Sequence, residues 1–215
     1  MKNISEWQSE FEDWWHRHGD ESDGSHDLGH FRRVYKLSCD IAKGEGDTAD
    51  HLILLAGAFF HDVVNPPKDS PLRSQASQLS ADKAAEILTE MDFPADKIAP
   101  VAHVIAAHSF SAGITAETIE ARILQDADRM EALGALGIAR NMYVAGLMAS
   151  KLFHTDDPMA KNRQLDDRKY ALDHFEIKLL KLPAMMQTAT GRKIAESRAE
   201  FLQLFRTQLL SEIEI

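Results

Sequence analysis

The sequence predicts an all-α protein. Apolar residues recur at three- and four-residue steps through most of the chain, and no alternating stretch is long enough for a convincing strand. Prolines and glycines then divide the periodic runs into segments of ordinary helix length.

Taken in order, Trp7, Trp14 and Trp15 sit at helical spacing in an acidic N-terminal segment and are packing residues. Over 26–42, Leu28, Phe31, Val34 or Tyr35, Leu37 and Ile41 form one apolar stripe. The run 48–64 is so apolar that it predicts a buried central helix. It stops at Asn65-Pro66-Pro67, because proline lacks an amide donor and disfavours helix in the residue before it. A polar loop follows, then a helix over about 75–91 carrying Leu79, Ile87 and Leu88. Phe93-Pro94 breaks that helix, and Pro94 opens the next, through Ile98, Val101 and Ile105 to His108. A short loop with Gly113 precedes a helix over 115–127. Gly134 and Gly137, three apart, mark close helix packing rather than a phosphate loop. Segment 154–168 is polar and reads as irregular. Helices over 170–181 and 184–211 follow, the second with Ile194, Phe201, Leu202, Phe205 and Leu209 on one face. With no internal repeat, one compact domain over 1–215 is expected.

Composition narrows the function classes. Of 215 residues, 44% are hydrophobic and 27% charged, a mixture that can bury a real core. The longest apolar run, 52–60, is far short of the roughly 20 residues a membrane span needs. The N-terminal segment lacks the basic start and apolar stretch of a secretion signal, and the single cysteine, Cys39, has no internal partner. A cytoplasmic location is therefore expected. The net charge of −10 disfavours binding to a nucleic-acid duplex, while leaving a small nucleotide substrate open.

His-Asp occurs twice, at His26-Asp27 and His61-Asp62. The second pair ends the most apolar helix, where titratable groups are costly unless compensated, and a divalent cation compensates them. Adjacent helical residues project about 100° apart, so both members can face one ion near the helix end. Upstream, His26 and His30 share a helix face. Downstream, ILQDADRMEALG ends an apolar approach in Asp126 and Asp128. Those two project about 200° apart on a helix, so only one is a direct ligand and the other orients a neighbour from behind.

In this order the sequence resembles the HD-domain metal-dependent phosphohydrolases: HDLGHFRRV, AFFHDVVNPPKDS, VAHVIAAHS and LQDADRMEALGALGIAR. It looks most like the small bacterial HD proteins with nucleotide pyrophosphohydrolase-like members, and the likeness reaches DHFEIKLLKLPAMMQTATGRKIAESRAEF. The resemblance implies a single helical HD-domain bundle with the metal site in its centre. Its core spans about 20–150, and C-terminal helices over 166–213 pack on it. By position it assigns His30, His61, Asp62 and Asp128 as metal ligands. Asp62 is also the catalytic residue that steers water, and Asp126 and His26 stand behind the ligands. His26 fits a surface cap equally well.

Two imidazoles and two carboxylates suit one divalent ion, with Mn, Mg, Co, Ni, Fe and Zn not distinguished by ligand type. Such an ion activates water for attack on phosphorus. Lys68, Arg73 and Ser77, after the His-Asp pair, are either phosphate contacts or solvated surface. His108 is a phosphate or leaving-group contact. Arg129 pairs with a carboxylate or a phosphate. His103 and His108 project about 140° apart and cannot easily share an ion, so a mononuclear site is expected.

The expected function is hydrolysis of a phosphoester or phosphoanhydride in a nucleotide-like small molecule, with nucleoside triphosphate pyrophosphohydrolysis one form of it. The alternatives are a di-iron oxygenase on the same scaffold and a catalytically silent nucleotide-binding regulatory module. Asn65, where some relatives carry an acid, argues against alarmone-type hydrolysis. The expected partner is a small phosphorylated substrate, with no membrane, and the chain a monomer or homodimer.

Overall fold

A computed structural model describes residues 2–19, 27–66, 70–109 and 112–213 of the chain. The described residues are mostly helical, joined by turns and irregular stretches, with one isolated bridge between Lys151 and Tyr170. The all-α expectation holds. Among them, no helix is long and apolar enough to cross a membrane. The chain divides into two compact units, Met1–Asp128 and Arg129–Ile215.

The first unit is built around the apolar run that the sequence marks as central. Helix α3 (His51–Phe60) buries every residue from Ile53 onward, and α1 (Ile4–His18), α2 (Leu28–Gly44), α4 (Ala76–Glu90) and α5 (Ala95–His108) pack against it. Its boundaries are tighter than 48–64 because Asp50 caps its start, accepting the amides of Leu52 and Ile53 at 2.9 and 3.3 Å. That satisfies two of the donors a helix N-terminus leaves open. Gly57 is required at mid-helix, because a Cβ there would meet Val104 Cγ1 at 3.0 Å and a Leu124 methyl at 3.3 Å. The missing side chain lets α5 and α6 (Ile119–Met130) approach α3 closely.

The tryptophans are packing residues, as expected. Trp7 and Phe11 are buried, with Phe93 edge-on to Trp7 at 4.9 Å and Phe60 edge-on to Phe11 at 5.0 Å. Trp15 donates its indole N–H to the Phe59 carbonyl at 2.9 Å, which serves one of the open acceptors at the end of α3.

In the second unit, α7 (Gly134–Leu147) and α9 (Ala189–Ile213) pack together, and α9 also covers a 3₁₀ stretch, Leu179–Met185. The expected helix over 170–181 is instead the short α8 (Asp173–Ile177) followed by that 3₁₀ stretch. Lys178 leaves helical geometry at φ −131°, and Pro183 cannot donate to a helical ladder. The last helix starts later than expected, after Thr188, whose hydroxyl accepts the Gly191 amide at 3.0 Å. Segment 154–168 is irregular, and Asp173 anchors it through two bonds from Arg163 at 2.6 and 2.7 Å. At Gly137 a Cβ would lie 2.3 Å from the backbone of Ala132 in the turn that leads into the same helix, so local crowding rather than helix packing explains that glycine; Gly134 is needed for its φ of +70°.

Candidate metal centre

Four helix ends bring the candidate residues together. His30 is the third residue of α2, and its amide donates to the Asp27 carboxylate at 2.8 Å, so the first His-Asp dipeptide supplies the N-cap of the helix carrying His30. His61 caps the C-terminus of α3, with Asp62 in the turn that follows. His108 is the last residue of α5, and Asp128 lies in the final turn of α6.

The imidazoles of His61 and His108 are oriented by the same device. His61 Nδ1 donates to the Ala58 carbonyl at 2.9 Å and His108 Nδ1 to the Ile105 carbonyl at 2.6 Å, each three residues back in the last turn of its own helix. Open carbonyls at a helix C-terminus thereby hold each ring through Nδ1 and leave Nε2 facing the cluster. His30 Nε2 lies 3.2 Å from His61 Nε2, and Asp128 Oδ1 lies 3.8 Å from the first and 3.7 Å from the second. Asp62 Oδ2 lies 3.7 Å from His61 Nε2, while Asp62 Oδ1 lies 3.6 Å from His108 Nε2. The donors thus form two overlapping triads, His30/His61/Asp128 and His61/Asp62/His108, which share His61.

These residues fit a divalent ion. Two donors each about 2.1 Å from one ion stand at most about 4.2 Å apart, and every separation above is shorter. His30 and His61 are fully buried, whereas Asp62 and Asp128 keep 19% and 27% of their side chains exposed, so solvent reaches the cluster on its carboxylate side. Electrostatics favour positive charge here. Burial, the largest single influence on His61, pushes its pKa down, but Asp62 and Asp128 outweigh it and hold it up at about 9. Burial likewise pushes the Asp128 carboxyl up, yet the hydrogen bond and charge of His61, with His108 and His30 behind, hold it well below the usual carboxylate range.

The other expected residues take distinct places. Asp126 is fully buried, and it is Asp128 that the geometry groups with His30 and His61. Arg73 is exposed and donates to the Asn65 side chain and, at 3.0 Å, to the Pro66 carbonyl, tying down the turn after His61-Asp62. Ser77 is buried near the start of α4, and its hydroxyl makes no hydrogen bond among the described residues. Arg129 donates to the Met185 carbonyl at 2.7 Å. His103 faces away, accepting the Glu117 amide at 3.4 Å. His26 and Lys68 lie outside the described residues.

Two features escape the sequence reading. Asp27 as a cap was signalled by an acid directly before an amphipathic run. The approach of His108 to Asp62 had no signal, since it arises only when α3 and α5 pack side by side.

Residues 27–133 match the HD domain family model. Over 198 residues the chain is 34% identical to YpgQ of Bacillus subtilis (strain 168), covering 90% of this chain and 87% of YpgQ. The chain belongs to the HD-domain superfamily. The crystal structure of Bacillus subtilis YpgQ in complex with ADP superimposes on this HD-domain chain with a TM-score of 0.73 and 31% identity, covering 96% of this chain and 98% of that one. An HD-superfamily hydrolase from Bacillus thuringiensis superimposes with a TM-score of 0.71 and 27% identity, covering 97% of this chain and 95% of that one.

Proposed function

We propose that this HD-domain chain is a divalent-metal-dependent phosphohydrolase acting on a phosphoester or phosphoanhydride of a nucleotide-like small molecule. One observation carries the reading: His30, His61 and Asp128 converge to within 3.8 Å of one another, with Asp62 and His108 joined to them through His61. A divalent ion held by His30, His61 and Asp128 would polarise a phosphoryl oxygen and acidify water. The chain's own residues do the rest. Asp62, on the solvent-facing side, accepts a proton from attacking water and aligns it by hydrogen bonding. His108, its Nε2 facing Asp62, contacts the leaving group or a phosphate oxygen.

The nucleotide class is supported by YpgQ, which has been crystallised with ADP. Phosphate recognition is assigned to Arg73 and Lys68 after the His-Asp pair and to the Ser77 hydroxyl. Ser80, one turn beyond Ser77 on α4, accepts the Val64 amide and donates to the Val64 carbonyl, both at 3.1 Å. That pins the segment after Asp62 against the helix face from which Ser77 also projects.

The deciding experiment is a screen of nucleoside mono-, di- and triphosphates with Mn, Mg, Co and Ni, resolving phosphate from pyrophosphate. Pyrophosphate release from triphosphates alone would establish the pyrophosphohydrolase form. No turnover of any phosphorylated substrate with any metal would refute the hydrolase reading.

A further inference from the structure

We propose that Cys39, His51 and Asp47 form a thiol-modification site, at which Cys39 exchanges with a small disulfide and His51 serves as its base. The site is separate from the metal centre and does not rest on the hydrolase reading. Cys39 lies nine residues along α2 from His30, about 14 Å at the rise of a helix, and His51 begins α3 ten residues before His61.

Three observations carry it. First, the three groups stand in series. His51 Nε2 donates to Asp47 Oδ1 at 2.8 Å, and Nδ1, on the other side of the ring, lies 3.7 Å from Cys39 Sγ. An ionised carboxylate only accepts, so Nε2 carries the proton and Nδ1 of the neutral ring is left to accept from the thiol. Partners on opposite sides of one imidazole do not converge on an ion, so the set is a proton relay and not a metal site. Second, each group is held by a different element: Cys39 by α2, His51 by the first turn of α3, and Asp47 by the turn between them. Asp47 sits at φ +55° with its amide donated to the Ala42 carbonyl at 2.8 Å, a left-handed position that aspartate tolerates better than most residues. Third, the thiol needs a base. Cys39 is half-buried, and burial pushes its thiol up, outweighing the Tyr35 hydroxyl one turn back and Lys43, while Asp40 and Asp47 add to the rise. Sulfur attacks as the thiolate, so removing the proton falls to His51 at the moment of reaction.

Cys39 is the only cysteine of the chain, so its sulfur partner comes from another molecule. In the exchange, Sγ attacks one sulfur of a disulfide RSSR as its proton passes to His51 Nδ1, and Asp47 stabilises the imidazolium. A bond forms between Sγ and that sulfur, the original S–S bond breaks, and the departing thiolate takes the proton from His51 to leave as RSH. The disulfide is the only oxidant, and excess RSH reverses the step. Among the charges that act on the sulfur, two acids stand against one lysine, which favours a cationic or neutral disulfide over an anionic one. The adduct lodges between α2 and the start of α3, the helices that carry His30 and His61.

The test is reaction of the folded full-length chain with cystamine, a small cationic disulfide, followed by intact mass over time and across pH. The wild type should form one mixed disulfide per chain at neutral pH, and Cys39→Ser none. His51→Ala should slow the reaction at neutral pH by about 10-fold, less than the roughly 100-fold a positioned base supplies, because removing the ring also hydrates the thiol. Asp47→Asn, an exposed change that spares the fold, should slow it in the same direction by a smaller factor. Both variants should draw level with the wild type as pH rises into the range where the thiol ionises unaided. A His51→Ala rate equal to or above the wild type at neutral pH overturns the proposal. So does a slowing that is the same at every pH, which would make His51 a packing neighbour, and so does a wild type that forms no adduct while folded.

Discussion

His30 and His61 bring their Nε2 atoms to 3.2 Å from each other in a fully buried setting, while His61 spends its other nitrogen on the Ala58 carbonyl. Two such nitrogens face each other either as a hydrogen-bonded pair, one donating to the other, or with a cation between them. Asp62 and Asp128 supply the matching negative charge. Metal is therefore expected to stabilise the fold, because a preformed set of ligands exists only in the native state. At Mn2+ about 100-fold above its dissociation constant the gain is about 2.7 kcal/mol. For a chain of this size that raises Tm by about 5–10 °C. Thermal melts with Mn2+ and with a chelator check this, and His61→Ala should abolish the difference.

The roles of the two acids in LQDADR separate in the same assay. Asp128→Asn removes a direct donor and should eliminate tight metal binding. Asp126→Asn, one step back from the donors, should weaken affinity by about 10–100-fold. Elemental analysis of chelator-free preparations will rank them, and the opposite order would reverse the assignment.

Much of this was legible in the sequence, for physical reasons particular to each residue. The apolar run ending in His61-Asp62 announces a buried helix whose end needs compensation, and α3 is that helix. The angular offset of Asp126 and Asp128 allows only one to face the histidines, and the structure turns Asp128 to them while Asp126 is buried elsewhere. The C-terminal part was read less well. Lys178 and Pro183 interrupt a pattern whose apolar spacing alone reads as continuous helix. His108 was seen as a site residue but not beside Asp62, because spacing along α5 carries no information about α3.

Stability should depend on how α3 is started as well as on how it ends. Asp50 caps α3, pairs with Lys97 and, through its own amide, donates to Glu120 at 2.8 Å. Asp50→Ala loses both cap and ion pair and should cost about 1–2 kcal/mol. Asp50→Asn keeps a capping oxygen and should cost less than about 1 kcal/mol, since the pair is partly exposed. Urea melts of the two variants give the ranking.

The same residue sets a pH signature. Burial raises the Asp50 pKa, but the hydrogen bond from Lys97 and the amides of Ile53 and Leu52 outweigh it and leave the folded value below the ordinary one. A carboxylate lowered on folding contributes stability above its unfolded pKa, about 3.9, and loses it as pH falls through the folded value. The stability gap between wild type and Asp50→Asn should therefore be flat from neutral pH to about pH 5 and close below it. A gap that widens on acidification would contradict the assignment.

The final prediction concerns Arg73, which the sequence offers as a phosphate contact and the structure shows bonded to Asn65 and Pro66. A tether for the turn after Asp62 and a phosphate clamp are separable roles. Arginine holds phosphate oxygens in a bidentate grip that alanine cannot reproduce. Charge-assisted bonds of this kind are worth about 1.5–3 kcal/mol. Arg73→Ala should therefore lower kcat/KM by roughly 10–100-fold, with a larger defect on a triphosphate than on a monophosphate and no change in metal content. Asn65→Ala leaves the guanidinium in place and removes one end of the tether. If phosphate binding dominates, Asn65→Ala will be mild and indifferent to phosphate number. Equal defects in both variants on every substrate would make Arg73 a tether, and phosphate recognition would then be sought at Ser77, whose buried hydroxyl is unpaired among the described residues.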